Sequence, residues 1–175
     1  MNINNVLVIG AGTMGNGIAH VFAQSGYNVR ISDVSETALT QAVKTIDTNL
    51  TRQVKKEILT EQDKNSTMSR ITTTVDMLHD IENIDLVVEA ASEKFEIKKS
   101  IFSVLDNVCN SNAIFASNTS SISITELAAT TQRASSFIGM HFFNPVPIMK
   151  LCELIRGLAT SDETYSTIET LAKSL

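Results

Sequence analysis

The chain has 175 residues, of which 43% are hydrophobic, 19% charged and 5% aromatic, and its 14 basic and 19 acidic side chains give a formal net charge of -5. That is enough apolar material for one core, so a disordered chain or a bare helical rod is excluded, and the acidic balance argues against a general affinity for nucleic acid or anionic lipid. The longest apolar runs, such as Val6-Leu7-Val8-Ile9, fall far short of the roughly 20 residues of a membrane span, and Met1–Asn5 carries no basic lead, so we expect a cytoplasmic protein with no membrane partner.

Hydrophobic runs of strand length alternate with longer stretches of helical period, which is the signature of a doubly wound, mostly parallel α/β sheet. The first strand, 5–9, leads directly into Gly10-Ala11-Gly12-Thr13-Met14-Gly15, a G-x-G-x-x-G pattern that opens a helix over 13–25. Gly10 permits the tight turn, Gly12 lets backbone N–H groups approach a pyrophosphate, and Gly15 allows close packing. The helix N-terminus adds a partial positive charge. A second strand over 28–32 ends at Asp33, 18 residues after Gly15, where a carboxylate can accept the ribose hydroxyls of an adenosine. No arginine follows it, so the pattern favours NAD over NADP; the alternative is a packing turn beside a solvated Asp33.

The polar stretch after the second strand places Ile46, Leu50, Val54 and Ile58 at four-residue steps. It reads as a long amphipathic helix over 35–64, or a helical hairpin, inserted before the third strand at 70–74. Strands at 85–89 and 113–117 follow, separated by a helix over 93–110. Each strand ends in polar residues, Glu89 to Glu93 and Ser117 to Ser121, which can bind a nicotinamide ribose or a reacting oxygen. The Ser-rich run also reads as a turn and N-cap, through Ser121 and Ser123, for a helix over 122–130.

A sixth strand over 136–141 ends at His141, followed by Phe142-Phe143-Asn144-Pro145-Val146-Pro147. Alcohol oxidation needs a base, and an imidazole at the carboxyl edge of the sheet suits that task. Glu153 lies 12 residues later in a seventh strand, 149–155, close enough for a loop to return it to the imidazole. From the residues alone, His141 is a base or a capping histidine, and Glu153 its partner or a surface strand residue. His20 and His79 read as packing or surface histidines. Cys109 and Cys152 have no disulfide or zinc spacing, so we expect reduced packing thiols and no metal. A last helix occupies 160–175.

These motifs resemble the N-terminal half of the L-3-hydroxyacyl-CoA dehydrogenases, including the bacterial 3-hydroxybutyryl-CoA dehydrogenases. The resemblance rests on Val8–Gly15, Asp85–Ala90, Ile114–Ser121 and above all His141–Pro147 with Met149-Lys150-Leu151. It implies a Rossmann-type NAD-binding domain over 1–175 that interconverts a 3-hydroxyacyl-CoA and a 3-oxoacyl-CoA in fatty acid metabolism. His141 is then the general acid/base, Glu153 its paired carboxylate, Ser120 a hydrogen-bond partner of the substrate's 3-oxygen, and Asn144 a neighbour of both nicotinamide and substrate. Glu93 and Lys98 match cofactor-contacting positions, Asp33 the adenosine-ribose acid, and Lys56 a lysine reaching coenzyme A, with Asn49 in place of a family serine. For Lys56 a solvated helix face is the other reading. The family's second, all-helical domain, which closes the cleft and forms the homodimer, is expected to be absent from this chain, leaving exposed apolar residues after Glu153 and impaired turnover. The rivals are a related dehydrogenase of a free hydroxy acid, sugar acid or carnitine, and a fragment that binds NAD without turnover.

Overall fold

A computed structural model describes residues 3–175. The elements run β1 (Asn5–Ile9), α1 (Thr13–Gln24), β2 (Asn28–Ser32), α2 (Glu36–Lys55), α3 (Glu61–Ser69), β3 (Ile71–Thr74), β4 (Leu86–Glu89), α4 (Phe95–Asp106), β5 (Ile114–Ser117), α5 (Ile124–Ala128), β6 (Phe137–Phe142), β7 (Cys152–Arg156) and α6 (Asp162–Ala172). The strands form one sheet in the order β3-β2-β1-β4-β5-β6-β7, all parallel except for β7 at the edge. The Rossmann-type expectation holds. Strand order reverses between β1 and β4, so the loops leaving their carboxyl ends part and open a crevice there.

Both faces of the sheet are covered, which explains why its central strands are unbroken apolar runs. Side chains alternate across the pleat: Val6 and Val8 join a core with Ile18, Phe22, Ile46 and Leu50 on the side of α1 and α2. Leu7 and Ile9 join Phe102, Phe115, Leu127 and Phe137 on the side of α4 and α5. Shifting β1 by one residue would exchange these two sets, so packing on both sides fixes the register. His20 is buried in the first layer beside Gln24 and Gln53, and burial pulls its pKa below the usual imidazole value, only partly offset by the Gln24 hydrogen bond.

The insertion after β2 is a hairpin of two helices, and the single 35–64 helix is corrected. Glu57 adopts a left-handed backbone conformation, and Thr60 starts α3 with a capping box closed by Asp63, which stops α2 at Lys55. The apolar stripe therefore ends early: Ile46 and Leu50 are buried, whereas Ile58 is exposed in the turn. Lys64 ties the hairpin together through Thr51 Oγ1 at 2.7 Å and Asp47 Oδ1 at 2.8 Å. The seventh strand also starts later than expected, at Cys152, because the amides of Ile148 and Met149 turn back to the Pro145 carbonyl.

Among the described residues, no helix is long and apolar enough to cross a membrane. Both cysteines are free, and burial pushes their thiols up, Cys109 to about 11 and Cys152 to about 12, so neither is a ready nucleophile.

Candidate active site

Each glycine of the first turn answers a different demand. Gly10 has φ +100°, and a Cβ there would lie 2.6 Å from the Ala90 carbonyl oxygen. At Gly15 a Cβ would lie 1.8 Å from the Gly10 carbonyl oxygen, so this glycine packs the helix against the turn itself. Gly12 is different. Its φ is -69°, and nothing lies within 4 Å of where its Cβ would be. The fold does not require glycine at that point, but a ligand lying on the N-terminus of α1 would. The residues present therefore fit a dinucleotide pyrophosphate, cradled by backbone N–H groups of the turn. Gly12→Val should leave the melting temperature nearly unchanged while weakening NAD binding about tenfold to a hundredfold, the range expected when a side chain intrudes on a close contact. Calorimetry on the two proteins checks it; equal affinities would refute the cradle.

Asp33 leaves β2 beside this turn. Its Oδ2 accepts from the Ala11 amide at 2.8 Å and its Oδ1 from the Ser35 amide at 2.9 Å. The carboxylate so shapes the glycine turn and keeps lone pairs free for ribose hydroxyls. Thr13, Gly12, Asn49 and the Asn144–Pro147 loop line a shared cleft of about 460 Å³ between α1 and α2. Gly17 makes that possible, since its missing side chain lets Val146 pack against α1. Met14 is partly buried against the core under the turn. Lys56, on the C-cap of α2, is exposed and forms no ion pair among the described residues.

The polar groups ending β4 and β5 are organised around buried charge. Glu89 is fully buried, and Lys98, 1% exposed, reaches its two carboxylate oxygens at 2.7 and 2.9 Å. Lys98 also lies 3.2 Å from Glu93 Oε2. Burial alone would raise the Glu93 pKa, but the Thr119 hydroxyl, Lys98 and the Ser121 hydroxyl together hold it below the ordinary carboxylate value. Ser121 therefore does not cap α5; Ser123 does, accepting from the Glu126 amide. Glu89 and Ser117 point inward to this network, which the sequence reading did not anticipate.

β7 turns back along β6 with His141 directly opposite Glu153, and His141 Nδ1 lies 2.9 Å from Glu153 Oε2. The imidazole packs on the Phe143 ring, with centroids 4.6 Å apart, and is partly buried. Ser120 and His141 both line a second cleft, of about 310 Å³, whose wall includes Glu153. Asn118 fastens this corner by accepting from the Phe142 amide at 2.8 Å. The geometry can hold Nδ1–H on the carboxylate and present Nε2 as a proton acceptor, with a hydroxyl nearby. Asn144 lies three residues beyond His141, on the wall of the larger cleft. His79 is exposed against Asp80, away from both clefts.

The 3-hydroxyacyl-CoA dehydrogenase NAD-binding domain family matches residues 5–175. The chain is 53% identical over 163 residues to a 3-hydroxybutyryl-CoA dehydrogenase of Bradyrhizobium diazoefficiens, an alignment that covers 93% of this chain and 55% of that protein. It is 41% identical to the mitochondrial hydroxyacyl-coenzyme A dehydrogenase of Rattus norvegicus, covering 99% of this chain and 57% of that one. The crystal structure of (S)-3-hydroxybutyryl-CoA dehydrogenase from Ralstonia eutropha superposes with a TM-score of 0.95 at 51% identity, over 99% of this chain and 61% of that one. The chain thus spans a little over half the length of these relatives.

Proposed function

The chain belongs to the 3-hydroxyacyl-CoA dehydrogenase family through its NAD-binding domain, and from that membership we propose that it forms the cofactor-binding and proton-transferring unit, residues 1–175, of an enzyme that interconverts (S)-3-hydroxyacyl-CoA and 3-oxoacyl-CoA. The observation that carries this reading is the His141–Glu153 pair, 2.9 Å apart and lining one cleft with Ser120 at the carboxyl edge of an NAD-binding sheet. NAD, when bound, supplies the hydride acceptor.

In the oxidation, His141 Nε2 takes the proton of the 3-hydroxyl group, and in the reduction the same nitrogen returns it. Glu153 holds Nδ1–H, which fixes the tautomer and stabilises the imidazolium. The Ser120 hydroxyl shares the substrate oxygen and favours its developing negative charge. Asn144, on the wall of the larger cleft, contacts the nicotinamide and the substrate. Glu93 accepts ribose hydroxyls on the nicotinamide side, with Lys98 behind it, and Asp33 does so on the adenosine side. Asn49 on α2 and Lys56 at its C-cap lie seven positions apart, about two helical turns along one side, and offer an amide and a cation to the nucleotide end of coenzyme A. Ile148, Met149, Leu151, Ile155 and Leu158 are exposed together near β7, an apolar face suited to the helical dimerisation domain of the full-length family. Two free thiols suit the reducing cytoplasm.

The test is NADH oxidation with acetoacetyl-CoA, with longer 3-oxoacyl-CoAs and with free acetoacetate. We expect turnover of the thioesters and at least tenfold less of the free acid, because the contacts to coenzyme A are lost. Equal rates with the free acid would overturn the substrate class.

A further inference from the structure

Glu89 ends β4 and lines neither cleft, yet its partners lead to the loop that borders the smaller one. Its carboxylate accepts from the Ala91 amide at 2.7 Å, the Ser117 hydroxyl at 2.6 Å and Lys98 Nζ at 2.7 and 2.9 Å. These donors come from the exit of β4, the end of β5 and the first turn of α4. Lys98 has three N–H groups and four oxygens within reach: both of Glu89, one of Glu93 at 3.2 Å and the Ala91 carbonyl at 3.4 Å. Its donors are fully committed, so it acts on a ligand through Glu93. Glu93 Oε1 in turn accepts from the Thr119 hydroxyl, the Ser120 amide at 3.2 Å and the Ser121 hydroxyl at 3.1 Å.

We propose that Glu89 is a positioning residue: through Lys98 it sets the place of Glu93, and with it the Thr119–Ser121 loop, against the bound cofactor. The inference rests on the proposed contact of Glu93 with NAD. A carboxylate removed from water is retained only where its partners are complete, and here they lead through Lys98 and Glu93 to Thr119 and Ser121 on the wall of the smaller cleft. Two apolar residues would fill the same volume at no loss of packing. What they would lose is the fixed negative charge that draws Lys98 inward and leaves only one edge of its ammonium for Glu93. Without that counter-charge, Glu93 is pulled toward Lys98 and away from its three loop donors, one of which is the backbone of Ser120.

The experiment is a double-variant cycle read by NAD calorimetry on the full chain, using Glu89→Gln, Glu93→Ala and the two combined. Glu89→Gln should raise the dissociation constant about tenfold, the order found when the outer partner of a ligating group is removed. In the Glu93→Ala background the same change should add nothing. Ser117→Ala, which takes one donor from Glu89 and leaves the charges in place, repeats the cycle where Glu89→Gln does not fold. Independent, additive losses would mean that Glu89 supports the fold alone and would overturn the inference, as would unchanged NAD affinity in Glu89→Gln or in Glu93→Ala. Since NAD binding is measured without any acyl-CoA, a coupled cycle in a chain that does not reduce acetoacetyl-CoA would sink the proposed reaction and leave this inference standing.

Discussion

With the proposed reaction, His141→Gln should lower kcat for acetoacetyl-CoA reduction at least about a hundredfold while the KM for the thioester stays within about threefold, because a positioned base acts in the transition state and contributes little to ground-state binding. The side chain is well placed for such a test. Its neighbours hold the backbone independently: His141 and Glu153 are paired across an antiparallel ladder from Ile138↔Arg156 to Phe142↔Cys152, and Asn118 pins the next amide. Glutamine therefore replaces the imidazole without a loss of fold. Glu153→Gln should cost less, about tenfold to a hundredfold, since the amide still reaches Nδ1 but no longer favours the imidazolium. A His141→Gln enzyme within tenfold of the parent would show that the proton goes elsewhere.

The pair was partly legible in the chain. A histidine at the carboxyl edge and an acid 12 residues on allow a hairpin, but the register depends on the turn through Pro145–Leu151, whose backbone bonds are not written in any alternation of polarity. The glycine turn was fully legible because strand, turn, helix and Asp33 are consecutive, and local geometry decides them. The buried network was not. Glu89 and Lys98 are nine residues apart on different elements, and each on its own reads as an exposed charge; only the parallel pairing of Glu89 with Ser117 brings β4 and β5 to a common edge. The helix break at Thr60 was legible in principle, since Thr60 and Asp63 carry a capping-box spacing. The four-residue apolar repeat concealed it.

A second buried ion pair carries the largest expected effect on stability. Arg133→Met should destabilise the fold by about 3–5 kcal/mol, the cost of leaving a buried charge without its partner. Arg133 and Asp106 have side chains only 10% and 9% exposed, joined from Nε to Oδ1 at 2.6 Å. The guanidinium also donates to the carbonyls of Asn110 at 2.7 Å, Asp106 at 3.1 Å and Ala113 at 3.2 Å, and lies 4.5 Å from the centre of the Phe115 ring. It thus satisfies carbonyls at and beyond the C-terminus of α4, where a cation also favours the helix dipole. Methionine fills much of the volume and makes none of these bonds. For a domain whose total stability is about 5–15 kcal/mol, such a loss lowers the denaturation midpoint severely. Lys99 and Glu96 are a useful control, since their ion pair, 3.7 Å apart, is exposed on both sides; solvent screens that pair, and Lys99→Met should barely move the midpoint. If the cost at Arg133 comes from the stranded Asp106 carboxylate, then Asp106→Leu in the Arg133→Met background should recover a large part of it, because two apolar groups can replace a buried pair. Failure of that rescue would assign the loss to the uncapped carbonyls of α4, the helix that also holds Lys98 behind the cofactor site.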